Sequence, residues 1–175
     1  MRLLACVMPL LLGGCLEFGK VDDAKAPGDL LGVYSVTGTL DDTTCGTGAL
    51  RAEDPWSFDV KLSRFDRDLY WLNGREAIVG DIEKDGVSFS FDTRIELEVQ
   101  APLRGHPGCV ISRADRARGE LSADGSEVEA FEGSLDFDFS ALPGSDCTDW
   151  MVQEAVPALP CSVEYELDAE RQSDE

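Results

Sequence analysis

Apolar and polar residues alternate along most of the chain after residue 29. The clearest example runs from Val87 to Val99, where every second residue is apolar except Thr93. A period of two is typical of a β-strand with one buried and one solvated face. The same period appears in the segments 30–40, 56–62, 69–72, 76–83, 109–121, 131–139 and 161–167, less cleanly in the fourth and fifth of these. The sequence therefore predicts about eight strands.

Short turns separate several of these strands. Asn73-Gly74 is a strong hairpin signal because both residues tolerate a positive φ, and Asp66-Arg67-Asp68, Lys84-Asp85-Gly86 and Asp124-Gly125 also predict turns. Strands joined in this way pair antiparallel, whereas parallel strands need helical crossovers, and the sequence contains no long amphipathic helix. We therefore predict an all-β antiparallel up-and-down barrel, whose closure removes the sheet edges. A two-sheet β-sandwich gives the same alternation and is the alternative.

The segment 109–121 departs from clean alternation because charged residues share parity with an apolar one. Ile111 lies on the same face of the predicted strand as Arg113 and Asp115. This strand therefore has mixed faces.

The first fifteen residues carry an export signal. Arg2 precedes a short apolar run from Leu3 to Leu12, which is too short to span a bilayer. The run ends in Leu12-Gly13-Gly14-Cys15, which resembles the lipobox of bacterial lipoproteins. That resemblance implies cleavage before Cys15, acylation of its sulfur and a lipid anchor in the bilayer. Leu16, rather than Asp, follows the cysteine, and by the enterobacterial sorting scheme this implies the outer membrane.

Four segments follow from this interpretation. Residues 1–14 are a lipoprotein signal peptide, and residues 15–29 are a lipidated cysteine with a flexible tether. Residues 30–169 form a single antiparallel β domain, and residues 170–175 form a frayed acidic tail. The domain is expected to be a monomer at the cell envelope.

The charge of the chain excludes some partners. The formal net charge is −20, and loss of Arg2 with the signal peptide makes it −21. Such a surface repels nucleic-acid phosphates and anionic lipid headgroups. We therefore predict no nucleic-acid partner and attachment to the bilayer through lipid alone.

Four cysteines remain in the predicted domain: Cys45, Cys109, Cys147 and Cys161. An even number in an exported chain predicts two disulfides. The shortest closed loop joins Cys147 to Cys161 across a connection rich in Pro, Gly and Asp, which leaves Cys45 to pair with Cys109. We expect this pairing over the two crossed ones. A zinc site is disfavoured because no two cysteines have close C-x-x-C spacing.

Catalytic signals are weak. His106 is the only histidine and lies between Gly105 and Pro107, and the chain lacks a G-x-S-x-G motif. The pairs Asp136 with Asp138 and Glu96 with Glu98 fall on predicted solvent faces rather than in a cleft. We predict no enzyme activity, no cofactor and no metal site. Calcium is the remaining alternative, with acidic loops at 41–42, 66–68 and 81–85.

Gly32-Val33-Tyr34 at the head of the first strand is similar to the G-x-W motif of lipocalins, with Tyr34 in place of Trp. The resemblance implies an eight-stranded barrel with an apolar pocket. The expected ligand-lining residues are Tyr34, Phe58, Phe89, Phe91, Phe137 and Tyr165. So many large rings also suffice to fill an eight-stranded interior, and a filled core is the preferred expectation.

Two functions therefore follow for a lipid-anchored envelope protein. The first is a non-catalytic structural or interaction module with an envelope protein partner, which predicts a filled core and an exposed apolar patch. The alternative is a lipocalin-like carrier of a small apolar ligand, which predicts an apolar cavity of about 300 Å³ or more.

The lipoprotein interpretation makes a direct prediction about Cys15. The variant Cys15→Ser removes the sulfur that would be acylated, so it is expected to accumulate as unprocessed precursor without lipid label. Metabolic labelling with a fatty acid and membrane fractionation measure both effects. Normal processing of the variant and its recovery in the membrane fraction would contradict the prediction.

Overall fold

A computed structural model describes residues 27–73, 77–124 and 127–173. The predicted signal peptide, Cys15 and most of the predicted tether lie outside the described residues. So do Gly74 and Gly125, the second residues of two predicted turns.

The described residues form eight strands and two short helical segments. The strands are β1 (Asp29–Thr43), β2 (Trp56–Phe65), β3 (Asp68–Leu72), β4 (Ala77–Ile82), β5 (Ser88–Gln100), β6 (Cys109–Leu121), β7 (Ala130–Ala141) and β8 (Cys161–Arg171). A 3₁₀ turn (Ala49–Arg51) follows β1, and the helix α1 (Thr148–Gln153) lies between β7 and β8. Each strand pairs with the next and β8 pairs with β1, all antiparallel, in a closed barrel. The predicted barrel is confirmed, and the sandwich alternative is wrong.

The last strand is longer than predicted. Glu170 lies opposite Ser35 of β1 and Ala130 of β7, and Arg171 lies opposite Tyr34. Residues 170–171 are therefore part of the barrel and not of a frayed tail. Their backbone groups pair with strands on either side, which outweighs the exposure of their charged side chains.

The lower half of the barrel is filled. We call the end at which β2, β4, β6 and β8 finish the lower end, and the opposite end the upper end. Aromatic side chains pack tilted or edge-on near the lower end: the ring centroids of Tyr34 and Phe131 are 5.5 Å apart, those of Phe89 and Phe131 5.7 Å, and those of Trp71 and Phe91 5.5 Å. All five residues are buried. The preferred expectation of a filled core therefore holds for this half.

The connection between β6 and β7 closes the lower end. Val128 is fully buried, and its carbonyl oxygen accepts a hydrogen bond of 2.9 Å from the Tyr34 hydroxyl. Burial of this hydroxyl raises the pKa of Tyr34 from 10.0 to about 12, with a smaller lowering by Arg171 and a further raising by Glu129.

Both disulfides lie at the upper end, but the expected pairing is wrong. Cys45 is bonded to Cys161, and Cys109 is bonded to Cys147. The first bond follows from barrel closure: Thr43 of β1 faces Val163 of β8 in an antiparallel ladder, so Cys45, two residues after Thr43, meets Cys161, two residues before Val163. The expected pairing was chosen for its short loop. It did not take into account that pairing of the first strand with the last brings Cys45 close to Cys161.

The seam between β4 and β5 is the least paired part of the barrel. In the described residues, its ladder contains the pairs Asp81–Ser90 and Ile82–Phe89, whereas β5 and β6 share twelve pairs. At this seam a Cβ on Gly80 would lie 2.3 Å from the Ser90 carbonyl oxygen. Only glycine allows β4 to approach β5 this closely.

The raised pKa of Tyr34 leads us to predict that the free energy of unfolding falls at alkaline pH. Its pKa is higher in the folded than in the unfolded state, so its contribution is complete below pH 10 and is lost as the pH rises towards 12. The slope is about 1.4 kcal/mol per pH unit in that window. Tyr34→Phe is expected to flatten this slope and, at neutral pH, to cost about 1–3 kcal/mol because the Val128 carbonyl loses its donor.

Chemical unfolding of both proteins between pH 8 and 12 measures these effects. Tyr165 also has a raised pKa, but it contributes equally to both proteins, so the difference isolates Tyr34. Parallel stability curves would contradict the prediction.

The disulfide pairing predicts unequal stabilisation. Cys45 and Cys161 are 116 residues apart in sequence, and Cys109 and Cys147 are 38 apart. In the chain-entropy model these loops contribute about 5 and about 4 kcal/mol. We expect Cys45→Ala/Cys161→Ala to lower the free energy of unfolding by about 1 kcal/mol more than Cys109→Ala/Cys147→Ala in urea titrations. Non-reducing peptide mapping that recovered a Cys45–Cys109 peptide would contradict the pairing.

A candidate ligand site at the upper end of the barrel

The upper end of the barrel contains an open cavity of about 510 Å³, which we call the cup. Strand residues form its floor and inner wall, and the loop after β1 forms its outer wall. Its lining residues are Leu50, Arg51, Ala52, Glu53, Trp56, Ser57, Arg113, Phe137, Phe139, Val163 and Tyr165.

The outer wall is held to the barrel at several points. The Cys45–Cys161 disulfide joins the start of the loop to β8. Further along, the Leu50 amide donates to the Glu154 carbonyl oxygen at 3.0 Å. Near the loop end, the Tyr165 hydroxyl donates to the Glu53 carbonyl oxygen at 3.2 Å. Burial, with smaller contributions from nearby carboxylates, raises the pKa of Tyr165, so this hydroxyl remains a neutral donor at physiological pH.

Three aromatic rings form the floor. The centroid of Trp56 lies 5.7 Å from that of Tyr165 and 6.3 Å from that of Phe137, and the Phe137 and Tyr165 centroids are 6.4 Å apart. Trp56 and Phe137 are half-buried, unlike the fully packed rings of the lower half. This floor therefore presents apolar ring surface to the cavity.

A charged pair lies on the inner face of β6. Arg113 is opposite Phe139, and Asp115 is opposite Phe137, with the same parity as the buried Ile111. The Arg113 Nε and Nη2 atoms donate to the two Asp115 carboxylate oxygens, each at 2.7 Å. The side chains of the pair are 25% and 18% exposed.

The Arg113 guanidinium also contacts the aromatic floor. Its Cζ atom lies 5.3 Å from the centroid of Phe137, which is within cation–π distance. Of the two charged side chains, Arg113 lines the cavity, and Asp115 does not.

The structure separates the predicted ligand-lining residues into two groups. Phe137 and Tyr165 line the cup. The other four expected lining residues are buried in the core and do not line the cup: Tyr34, Phe58, Phe89 and Phe91. Their rings contact other buried rings below the cup.

Sequence reasoning missed Arg113 as a site residue. The sequence contained a sign of it, because Arg113 lies on the same face of its strand as the apolar Ile111. The neighbouring strand β5 also places apolar residues on that face. The cup loop, residues 49–53, gave no such signal because it lacks regular alternation.

The other candidate groups are dispersed. His106 is exposed in the loop after β5, where it pairs with Leu103. On the outer surface Asp136 faces Glu164, and this neighbouring carboxylate raises the pKa of Glu164. In the described ranges, no three His, Cys, Asp or Glu residues are placed to hold a metal ion.

One loop named as a calcium alternative uses its carboxylate internally. Asp85 accepts hydrogen bonds from the Val87 amide and from the Ser88 amide and hydroxyl. These bonds, that of the Ser88 side chain first, lower the pKa of Asp85. They stabilise the predicted turn at 84–86.

Comparisons with protein families, with curated proteins and with solved structures found no match. Within the described part of the chain, no helix has both the length and the apolar character needed to cross a membrane.

Proposed function

We propose that this protein is a lipid-anchored, non-catalytic binding protein of the bacterial cell envelope, and that it holds a small apolar ligand in the cup. The observation that carries the proposal is an open, aromatic-lined cavity above a filled core. Its volume of about 510 Å³ falls within the range of ligand pockets. A core that is already packed leaves this cavity as a defined feature of the upper end.

The resemblance of Gly32-Val33-Tyr34 to the lipocalin motif supports a carrier role, since lipocalins also bind ligands in eight-stranded barrels. The cup differs from a deep central pocket, because its described lining lies at the upper end, above the packed rings of the lower half. We therefore expect a ligand that remains partly solvated at the mouth of the barrel.

The anchor is supported by Leu12-Gly13-Gly14-Cys15, which resembles a lipobox, and Leu16 favours the outer membrane. The bilayer is then one partner, reached through acylated Cys15. The net charge of −21 in the processed chain opposes binding to nucleic acid and to anionic headgroups. It also opposes self-association, which supports a monomer.

A role in binding an envelope protein stays a prediction. It is favoured by apolar side chains that point away from the barrel. Leu30, Phe65 and Val79, on β1, β2 and β4, are each more than half exposed.

A filled cup tests the carrier proposal. Ala52→Trp places an indole within the cavity, and Ala101→Trp, at an exposed position that does not line it, is the matched control. The probe is N-phenyl-1-naphthylamine, a neutral fluorophore whose emission rises in apolar surroundings. We expect wild type and Ala101→Trp to bind it equally, and Ala52→Trp to bind at least about tenfold more weakly, a change of 1.4 kcal/mol. Equal binding by all three proteins, or none by wild type, would contradict the proposal.

A further inference from the structure

We infer that the cup selects a neutral aromatic ligand bearing a carbonyl oxygen, and that Arg113 donates hydrogen bonds to this oxygen. The inference rests on the proposed function and names the ligand class for the same site. It is carried by the way in which Arg113 and Asp115 are placed at the cavity.

Arg113 has donors to spare. A guanidinium carries five N–H groups in a planar fork, and Asp115 accepts one from Nε and one from Nη2. Among the described residues, no hydrogen bond uses the remaining N–H groups of Arg113, including both on Nη1. Since Arg113 lines the cup and its Cζ atom lies 5.3 Å from the centroid of Phe137, these groups are charged donors beside the aromatic floor.

The surrounding charge favours an uncharged acceptor. Asp115 neutralises Arg113 through two bonds of 2.7 Å. A ligand carboxylate bound to Arg113 would therefore face a second carboxylate across the same guanidinium, with Glu53 also in the wall. Like charges placed together in this way oppose binding. A carbonyl oxygen accepts hydrogen bonds from the guanidinium and brings no net charge to the site.

The floor favours a planar ring. Trp56, Phe137 and Tyr165 have centroids between 5.7 and 6.4 Å apart, and aromatic rings pack on such surfaces offset or edge-on. Arg113 lies against Phe137. A ring that rests on this floor therefore has its substituents within reach of the guanidinium.

Three probes that share one ring system separate these contributions: naphthalene, 2-acetylnaphthalene and 2-naphthoate. The second adds a neutral carbonyl oxygen, and the third replaces its methyl group with a negative oxygen. Their affinities are measured by displacement of N-phenyl-1-naphthylamine from the purified protein. We expect 2-acetylnaphthalene to bind about tenfold more tightly than naphthalene, and 2-naphthoate to bind no more tightly than naphthalene.

Two variants and a control assign the selectivity. Arg113→Met is expected to reduce 2-acetylnaphthalene to the affinity of naphthalene and to leave naphthalene within twofold of wild type. Asp115→Asn keeps the guanidinium but removes the opposing carboxylate, so 2-naphthoate is expected to gain about tenfold. Arg118→Met, on the same strand but at an exposed position that does not line the cup, is the matched control and should change neither ratio. If Arg113→Met fails to fold because Asp115 is left unpaired, Arg113→Met/Asp115→Asn gives the same comparison.

The outcomes distinguish the two proposals. Equal affinities for naphthalene and 2-acetylnaphthalene in wild type would overturn the inference and leave the carrier function standing. Tightest binding of 2-naphthoate in wild type would also overturn it, because Arg113 would then act as an anion site. Absence of binding by every probe, including the fluorophore, would overturn the carrier function and the inference together.

Discussion

The first and last strands of the chain pair at nine residue positions, from Tyr34–Arg171 to Thr43–Val163. This ladder closes the sheet into a barrel, so neither β1 nor β8 is left as an unpaired edge strand. Extended past Thr43, it also brings Cys45 to Cys161 and so fixes the start of the loop that walls the cup. Without this contact the upper end would have neither its shape nor its cavity.

The interior changes character along the barrel axis. Near the lower end, buried rings pack against one another and the buried Val128 accepts a hydrogen bond from Tyr34. Near the upper end two of the three floor rings, Trp56 and Phe137, are half-buried, and a charged pair points inward from β6. An inward ion pair contributes little to stability compared with apolar packing of the same volume, so the upper end departs from the pattern that stabilises the lower one. Such departures are concentrated at functional sites in folded proteins.

Alternation along the strands was sufficient to predict the eight-stranded antiparallel barrel, because each strand has one face in a common core. It was also sufficient to place Phe137 and Tyr165 inside. It did not locate the cup, since the cavity depends on where the loop at residues 49–53 folds, and loops carry no period. The disulfide pairing was missed because it depends on contacts between chain ends 116 residues apart rather than on local spacing. Arg113 was visible as a break in parity, but a break alone does not say whether a charge is merely tolerated inside a strand or lines a cavity.

The short ladder between β4 and β5 is the weakest backbone pairing among the described strands. In the part of the chain that the structure describes, full separation of β4 from β5 breaks the pairing of two residue positions, whereas full separation of β5 from β6 breaks twelve. Local opening follows the path that disrupts the fewest hydrogen bonds, so amide exchange in β4 and in the adjoining edge of β5 should be the fastest among the strands. In the described residues the barrel is closed by nine residue pairs between β1 and β8 and is least paired on the opposite side, between β4 and β5. Opening of this seam leaves the closing ladder and both disulfides in place, so part of the barrel can open without loss of the rest.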